Sequence, residues 1–215
     1  VIHFHECSGN SGSEWTEERI APTVQAGFGL VSQTEWTGVP LKTILQEVGV
    51  QSEGSWILAE GADAAGMTRS IPMDKAMDDA LLAYAMSGEE LRPENGYPLR
   101  LVLPGYEGNS NIKWLRRLKI GTEPWMTREE TSKYTDLMPD GTARQFTFVM
   151  EAKSVITFPS GGHTIPSQGF WEITGIAWSG RGKITKVEIS TDGGETWAEA
   201  ALQEPVSPGA LTRCR

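Results

Sequence analysis

Cysteine is nearly absent from this chain of 215 residues: Cys7 and Cys214 stand at opposite ends. Neither belongs to a CxxC pair or to a His-rich spacing, so a zinc site of the usual kind has no basis. Nothing in their placement motivates a disulfide. Basic residues are also few, 19 Lys and Arg against 28 Asp and Glu, for a formal net charge of -9. That balance argues against a nucleic-acid surface, which needs clustered cations. The one basic run, 113–119 (KWLRRLK), is short and mixed with apolar residues. No apolar run approaches the roughly 20 residues of a membrane-spanning helix. A starting methionine and a signal or transit segment are missing too. Val1 opens in what reads as mid-strand and SPGALTRCR ends without a recognisable terminator. The chain is therefore expected to be an internal portion of a longer protein.

What is present is a composition of 39% hydrophobic and 22% charged residues, enough at this length for one large domain or two smaller ones with a packed core. Residues 1 to about 58 alternate short apolar runs with turn formers. VPLKTILQEVGV reads as a helix, with Leu41, Ile44, Leu45 and Val48 at helical spacing, Pro40 near its start and Gly49 after it. SWILAEGAD reads as a strand entering a Gly-rich turn, MDKAMDDALLAYAMSG as a second helical segment, and GYPLRLVLPG as a strand. From about Ala152 the texture changes to short β-rich segments (SVITFPSGG, FWEITGIAWSG, ITKVEISTDGGETWAEAAL), and Asp192-Gly193-Gly194 predicts a hairpin turn between strands at 187–190 and around Trp197. The pattern fits part of an immunoglobulin-like sandwich.

Cys7 is the strongest candidate for chemistry. It sits where a strand (Val1, Ile2, Phe4) hands over to the turn formers Ser8, Gly9 and Asn10, and a thiolate is both a nucleophile and a soft metal ligand. The plainer reading is a small buried residue at a strand end. His3 and His5 share the strand face of Cys7, so a Cys–His hydrolase is a weaker alternative that lacks an identifiable orienting acid. Histidines so placed more often pack or bond to backbone. His163 reads as a loop residue. A second cluster is ENGYPLRLVLPGYEGNSNIKW, where Arg100 leaves a strand and Lys113 follows a loop whose Gly105, Gly108, Asn109 and Asn111 can expose backbone amides. Two cations and free amides make a seat for a phosphate or another anion. A solvated strand and helix end accounts for the same residues equally well.

Three blocks, ECSGN, LLAYAMSGEELRPENGYPLRLVLPGYEGNSNIKWLRRLKI and WEITGIAWSGRGKITKVEISTDGGETW, resemble in order and spacing the sulfite oxidase family of molybdenum enzymes, across essentially the whole chain. Within that family the texture is most like the sulfane dehydrogenase branch of the bacterial Sox sulfur-oxidising system, also described as a sulfite dehydrogenase. The resemblance implies an α+β chain: a mixed α/β molybdopterin-binding domain over 1–151, lacking its N-terminal portion, followed over 152–215 by part of an immunoglobulin-like dimerisation domain. It implies a molybdenum–molybdopterin cofactor, with no haem in this chain. Cys7, in C-x-G-N, falls on the cysteine that bonds molybdenum and takes part in catalysis. Asp63, Asn95, Arg100, Asn111, Ile112 and Lys113 fall at cofactor-contacting positions, Arg100 and Lys113 on the pterin phosphate, and Tyr134 matches the active-site tyrosine.

The implied reaction is oxygen-atom transfer to a sulfur compound, with electrons leaving one at a time to a c-type cytochrome subunit. The implied setting is the bacterial periplasm, in a homodimer held through the C-terminal domain. There are departures. Where animal sulfite oxidases carry two arginines after C-x-G-N, this chain has Ser11 and Gly12, which weakens recognition of a small dianion. Asn95 stands where many relatives have a histidine. Two further active-site arginines of the family are expected upstream of Val1 and beyond Arg215. Losing the arginines favours sulfane sulfur on a carrier protein as substrate, with free sulfite as the alternative. A non-catalytic secreted β-sandwich binding protein is the reading of another class, but it leaves the pairing of the cysteine strand with the anion loop unexplained.

Overall fold

The computed structural model describes residues 1–12 and 23–215. In chain order the elements are β1 (Ile2–Glu6), α1 (Val24–Phe28), β2 (Val31–Pro40), α2 (Leu41–Glu47), β3 (Trp56–Gly61), β4 (Thr68–Pro72), α3 (Met73–Asp78), β5 (Leu81–Met86), β6 (Glu89–Glu90), β7 (Arg100–Val102) and β8 (Leu115–Gly121). After these come α4 (Arg128–Ser132), β9 (Asp136–Leu137), β10 (Ala143–Arg144), β11 (Lys153–Phe158), β12 (Thr174–Trp178), β13 (Glu188–Ile189), β14 (Ala198–Glu199) and β15 (Thr212–Cys214). Strands dominate and the described helices are few and short. The chain folds as two compact units, Val1 with Thr34–Val149, and Ile2–Gln33 with Met150–Arg215.

In the first unit β3 is the centre of an antiparallel sheet ordered β4-β3-β8, with Ala59 opposite Arg69 on one side and Leu118 on the other. Pairing on both edges satisfies the backbone of β3, and consecutive buried residues show that both of its faces are covered as well. WILAEG buries Ile57, Leu58 and Ala59, and its residue Glu60 is held by Arg116 and Arg117 of β8. Leu41 and Leu45, one turn apart on α2, pack with Ala76 of α3 and with Ile57, Ile71, Leu101, Leu103 and Ile112. The helix is shorter than its apolar spacing predicts. Ile44 and Val48 face solvent, and Val39 and Pro40 belong to β2.

The second predicted helix is corrected more sharply. Only Met73–Asp78 is helical, and Leu81–Met86 is a strand that pairs with β2, β6 and β7. Leu81 and Ala83 point inward with period two and join Trp36, Leu91 and Val102 in a separate core. Ser87 and Gly88 both have positive φ, 50° and 80°, while Met86 faces Glu89, so they form a two-residue hairpin turn rather than a helix end. The Ala- and Met-rich composition favours a helix locally, but cross-strand pairing decides otherwise.

The second unit is built on a three-stranded antiparallel sheet, β11-β12-β15, and a short pair, β13-β14. Its core holds Phe4, Met150 and Trp178, with Phe28, Val31, Val155, Ile176 and Leu211 packed around them. A cavity of about 410 Å³ lies between the two sheets, lined by Val155 and Ile156 on one side and Ile189 and Trp197 on the other. The predicted turn at 192–194 joins β13 to β14: Gly193 and Gly194 have positive φ, and the Asp192 carboxylate accepts the Thr196 amide at 3.0 Å.

Candidate functional site

Five of the six residues expected to touch the cofactor meet in the first unit around one guanidinium. Arg100 opens β7, and its side chain is buried. Its Nη1 donates to the Asn95 carbonyl at 2.9 Å and its Nη2 to the Asn111 carbonyl at 3.2 Å, and its Cζ lies 4.7 Å from the Trp36 ring centroid. Among the described residues its Nε has no hydrogen-bond partner, and no carboxylate pairs with it. Burial holds its pKa down to about 10. A buried cation with only carbonyl and ring partners is short of an anion.

The strand after the loop completes the seat. The Leu101 amide donates to the Ile112 carbonyl at 2.8 Å, and the Asn111 side chain accepts the Leu103 amide and donates to the Glu107 carbonyl at 3.0 Å. Lys113 Nζ reaches the Glu94 carbonyl at 2.9 Å. Gly96 makes the crossing tight: its φ is 109°, and a Cβ there would lie 3.0 Å from Lys113 Cβ and 3.2 Å from Arg100 Cβ. Asp63, the sixth residue, closes the turn after β3, accepting the Ala65 amide at 2.8 Å and the Met67 amide at 3.2 Å. A Cβ on Gly61 would sit 2.8 Å from both Asp63 Oδ2 and the Lys113 carbonyl oxygen, so Asp63 borders the same backbone.

Of the loop amides expected to be available before Lys113, that of Asn111 is bonded to the Gly108 carbonyl, and its neighbours Tyr106, Glu107 and Ser110 donate to the Leu103, Phe148 and Glu107 carbonyls. The anion-seeking group of the region is the Arg100 side chain.

Tyr134 follows α4, its amide bonded to the Glu129 carbonyl at 3.0 Å. The Arg69 guanidinium stands 5.0 Å from its ring centroid. Arg69 is wholly buried and forms an ion pair with Glu130, equally buried, at 3.0 Å, while its Nη1 contacts Asn109 Oδ1. Glu130 also accepts the Ser70 amide at 2.9 Å. Beside them Glu107 accepts from Asn109 at 2.7 Å and from Thr147 at 3.1 Å. Burial nevertheless raises its pKa, with those two bonds opposing. Sequence reading missed Arg69, Glu130 and the Trp36 ring. The available signal was parity, since Arg69 shares the inward face of β4 with Ile71.

In the second unit Cys7 is a free, exposed thiol, contrary to the plainer reading of a buried small residue. It starts a tight turn: the Asn10 amide donates to the Cys7 carbonyl at 2.9 Å, and the Cys7 amide to the Leu30 carbonyl at 3.0 Å. Ser11 takes φ 66° and its amide donates to the Gly27 carbonyl. The histidines differ from Cys7 in burial. His3 is buried against Phe4, bonding its backbone carbonyl, and His5 is half-buried. Cys214 is also free, and burial raises its pKa. His163 accepts the Ser160 amide within its own loop. Among the described residues no group of three or more His, Cys, Asp or Glu is placed to hold a metal, so any metal bound here depends on donors beyond such a cluster. No described helix is long and apolar enough to cross a membrane.

Comparison with known proteins places the chain in a family. Residues 1–129 match the oxidoreductase molybdopterin binding domain, and residues 144–212 the Mo-co oxidoreductase dimerisation domain. The crystal structure of the sulfane dehydrogenase SoxCD from Paracoccus pantotrophus superposes with a TM-score of 0.94 at 51% identity, covering 100% of this chain and 55% of that one. The mitochondrial sulfite oxidase of Drosophila melanogaster is 32% identical over 94% of this chain and 39% of its own length. The NADH nitrate reductase of Solanum lycopersicum is also 32% identical, over 94% of this chain and 26% of its own. The chain thus spans about half or less of the length of the relatives it matches.

The residues present fit a molybdopterin. In the first unit Arg100 is, among the described residues, a buried cation without a counter-anion, which a pterin phosphate would supply; in the second unit Cys7 is a free thiol, a soft donor. The chain belongs to the sulfite oxidase family of molybdenum enzymes, whose molybdopterin-binding and dimerisation domains it carries.

Proposed function

We propose that this chain forms part of an enzyme that oxidises sulfane sulfur presented on a carrier protein. The carrying observation is the 51% identity over the whole chain to a sulfane dehydrogenase, against 32% to sulfite oxidase and nitrate reductase alike. The molybdenum–pterin group supplies two-electron oxygen-atom chemistry when bound. Cys7 serves as its protein ligand. Arg100 and Lys113 hold the phosphate, with Asp63, Asn95, Asn111 and Ile112 lining the pterin. Tyr134 is the catalytic side chain that orients the substrate's oxyanion through its hydroxyl.

The Ser11–Gly12 pair supports a substrate bulkier and less anionic than sulfite. Ser11 directs its hydroxyl to the Asn10 carbonyl at 2.5 Å, and neither residue supplies a guanidinium. Free sulfite is the second reading, favoured by the sulfite oxidase match over 94% of this chain. The same proposal takes a c-type cytochrome as electron acceptor, a homodimer through residues 152–215, a boundary at 151/152 and a periplasmic location. The finer fold, an immunoglobulin-like sandwich, draws support from the antiparallel sheets that flank the cavity in the second unit.

The test is steady-state turnover of the full-length enzyme on carrier-bound sulfane, free sulfite and nitrate. The proposal expects fast turnover of the carrier-bound substrate. Fast turnover of free sulfite alone replaces it with the second reading, and turnover of nitrate alone removes both.

A further inference from the structure

The turn that carries Cys7 is held from below by a charged clamp belonging to the C-terminal sheet. Glu6, the residue before the cysteine, is fully buried. Its Oε2 accepts the Trp178 indole N–H at 2.7 Å, and its Oε1 accepts Lys153 Nζ at 2.8 Å and Asn10 Nδ2 at 3.0 Å. Lys153 and Trp178 are cross-strand partners, at the start of β11 and the end of β12. The clamp continues into the turn. Lys153 Nζ lies 3.3 Å from the Asn10 carbonyl oxygen, and Asn10 Oδ1 accepts the Leu30 amide at 3.0 Å, whose own carbonyl accepts the Cys7 amide. Both ends of the Cys7–Asn10 turn are therefore fastened to one carboxylate and to the sheet pair that neutralises it.

Packing alone does not need this arrangement. The site already contains Phe4, Met150 and Trp178 as an apolar core, and an apolar residue at position 6 would fill it without burying a charge. A buried carboxylate with three donors instead fixes direction, because each bond is lost by a rotation of the turn. Cys7 itself is an exposed, free thiol, so the turn that carries it sets its direction.

We propose that Glu6, clamped by Lys153 and Trp178, is a positioning residue that sets the orientation in which Cys7 presents its thiolate to the metal. The C-terminal sheet, by this inference, takes part in shaping the metal site as well as carrying the dimerisation sequence. It rests on the reading of Cys7 as the metal ligand.

The test uses the full-length protein, with cofactor and in cofactor-free form, carrying Lys153→Met, Trp178→Phe, Lys153→Arg or Cys7→Ser. Three quantities are read: molybdenum content, the sulfur-to-molybdenum charge-transfer absorption, and the rate at which iodoacetamide alkylates Cys7 in the cofactor-free form. Lys153→Met and Trp178→Phe are expected to shift the absorption band and to raise the alkylation rate several-fold, and Lys153→Arg, which can still donate to Glu6, to restore both. Trp178→Phe removes one donor and leaves Lys153 in place, so it carries the test if Lys153→Met fails to fold. Band and alkylation rate unchanged in the folded clamp variants overturn the inference while leaving the ligand reading intact. An absorption spectrum identical to wild type in Cys7→Ser at full molybdenum content overturns the ligand reading itself.

Discussion

The Arg69 guanidinium lies over the Tyr134 ring, 5.0 Å from its centroid, and its Nε is 3.0 Å from Glu130 Oε1, with both charged side chains sealed from solvent. A pair so buried adds little to stability when intact, because desolvation offsets the attraction, but it is costly to break from one side. The arrangement fixes the face of Tyr134 from beneath by a cation–π contact.

Arg69→Met is accordingly expected to destabilise the protein by about 3–5 kcal/mol, since it leaves Glu130 charged and unpaired in the interior. The double variant Arg69→Met/Glu130→Leu should recover most of that loss. Urea denaturation of the three proteins checks this, and equal stabilities for the single and double variants would contradict it.

Gly96→Ala forces a side chain into φ 109° and against Lys113 Cα at 3.1 Å. A loss of about 1–3 kcal/mol is expected, together with weaker cofactor retention, because the displaced backbone belongs to the loop that supplies the Asn95 carbonyl to Arg100. Thermal denaturation and molybdenum analysis measure the two effects separately.

Arg100 predicts a ligand response in the cofactor-free protein. Inorganic pyrophosphate at constant ionic strength should raise the melting temperature by supplying the missing anion. Arg100→Met should abolish the increment. An increment of equal size in the variant would place the anion elsewhere.

Burial, with Asp74 and Asp79 nearby, raises the Tyr106 phenol from 10.0 to about 12. Between those values the folded protein keeps a proton that the unfolded chain has released, so this contribution is whole below pH 10 and is lost as pH rises towards 12. Arg100, held down to about 10, acts with the opposite sign in the alkaline range. The comparison is therefore wild type against Tyr106→Phe, and the variant should lose stability less steeply above pH 10.

The local placement of the candidate residues was legible in the chain. Cys7 follows a strand, Arg100 opens one, and Asn111, Ile112 and Lys113 are consecutive. What escaped was non-local. Residues 81–86 form a strand because β2 and β7 flank them, and no window containing only ALLAYAM can register those partners. The Arg69–Glu130 pair spans 61 positions and the Glu6–Trp178 bond 172, so each charge read singly looks like a surface residue. The exposure of Cys7 was equally hidden, since a turn at a strand end leaves a thiol either buried or displayed, depending on contacts made elsewhere in the chain.

X-ray absorption at the molybdenum edge, on the full-length protein and its Cys7→Ser variant, tests the central claim most directly. Loss of one sulfur from the metal's nearest shell in the variant is the predicted result. An unchanged sulfur count with full molybdenum occupancy would contradict it.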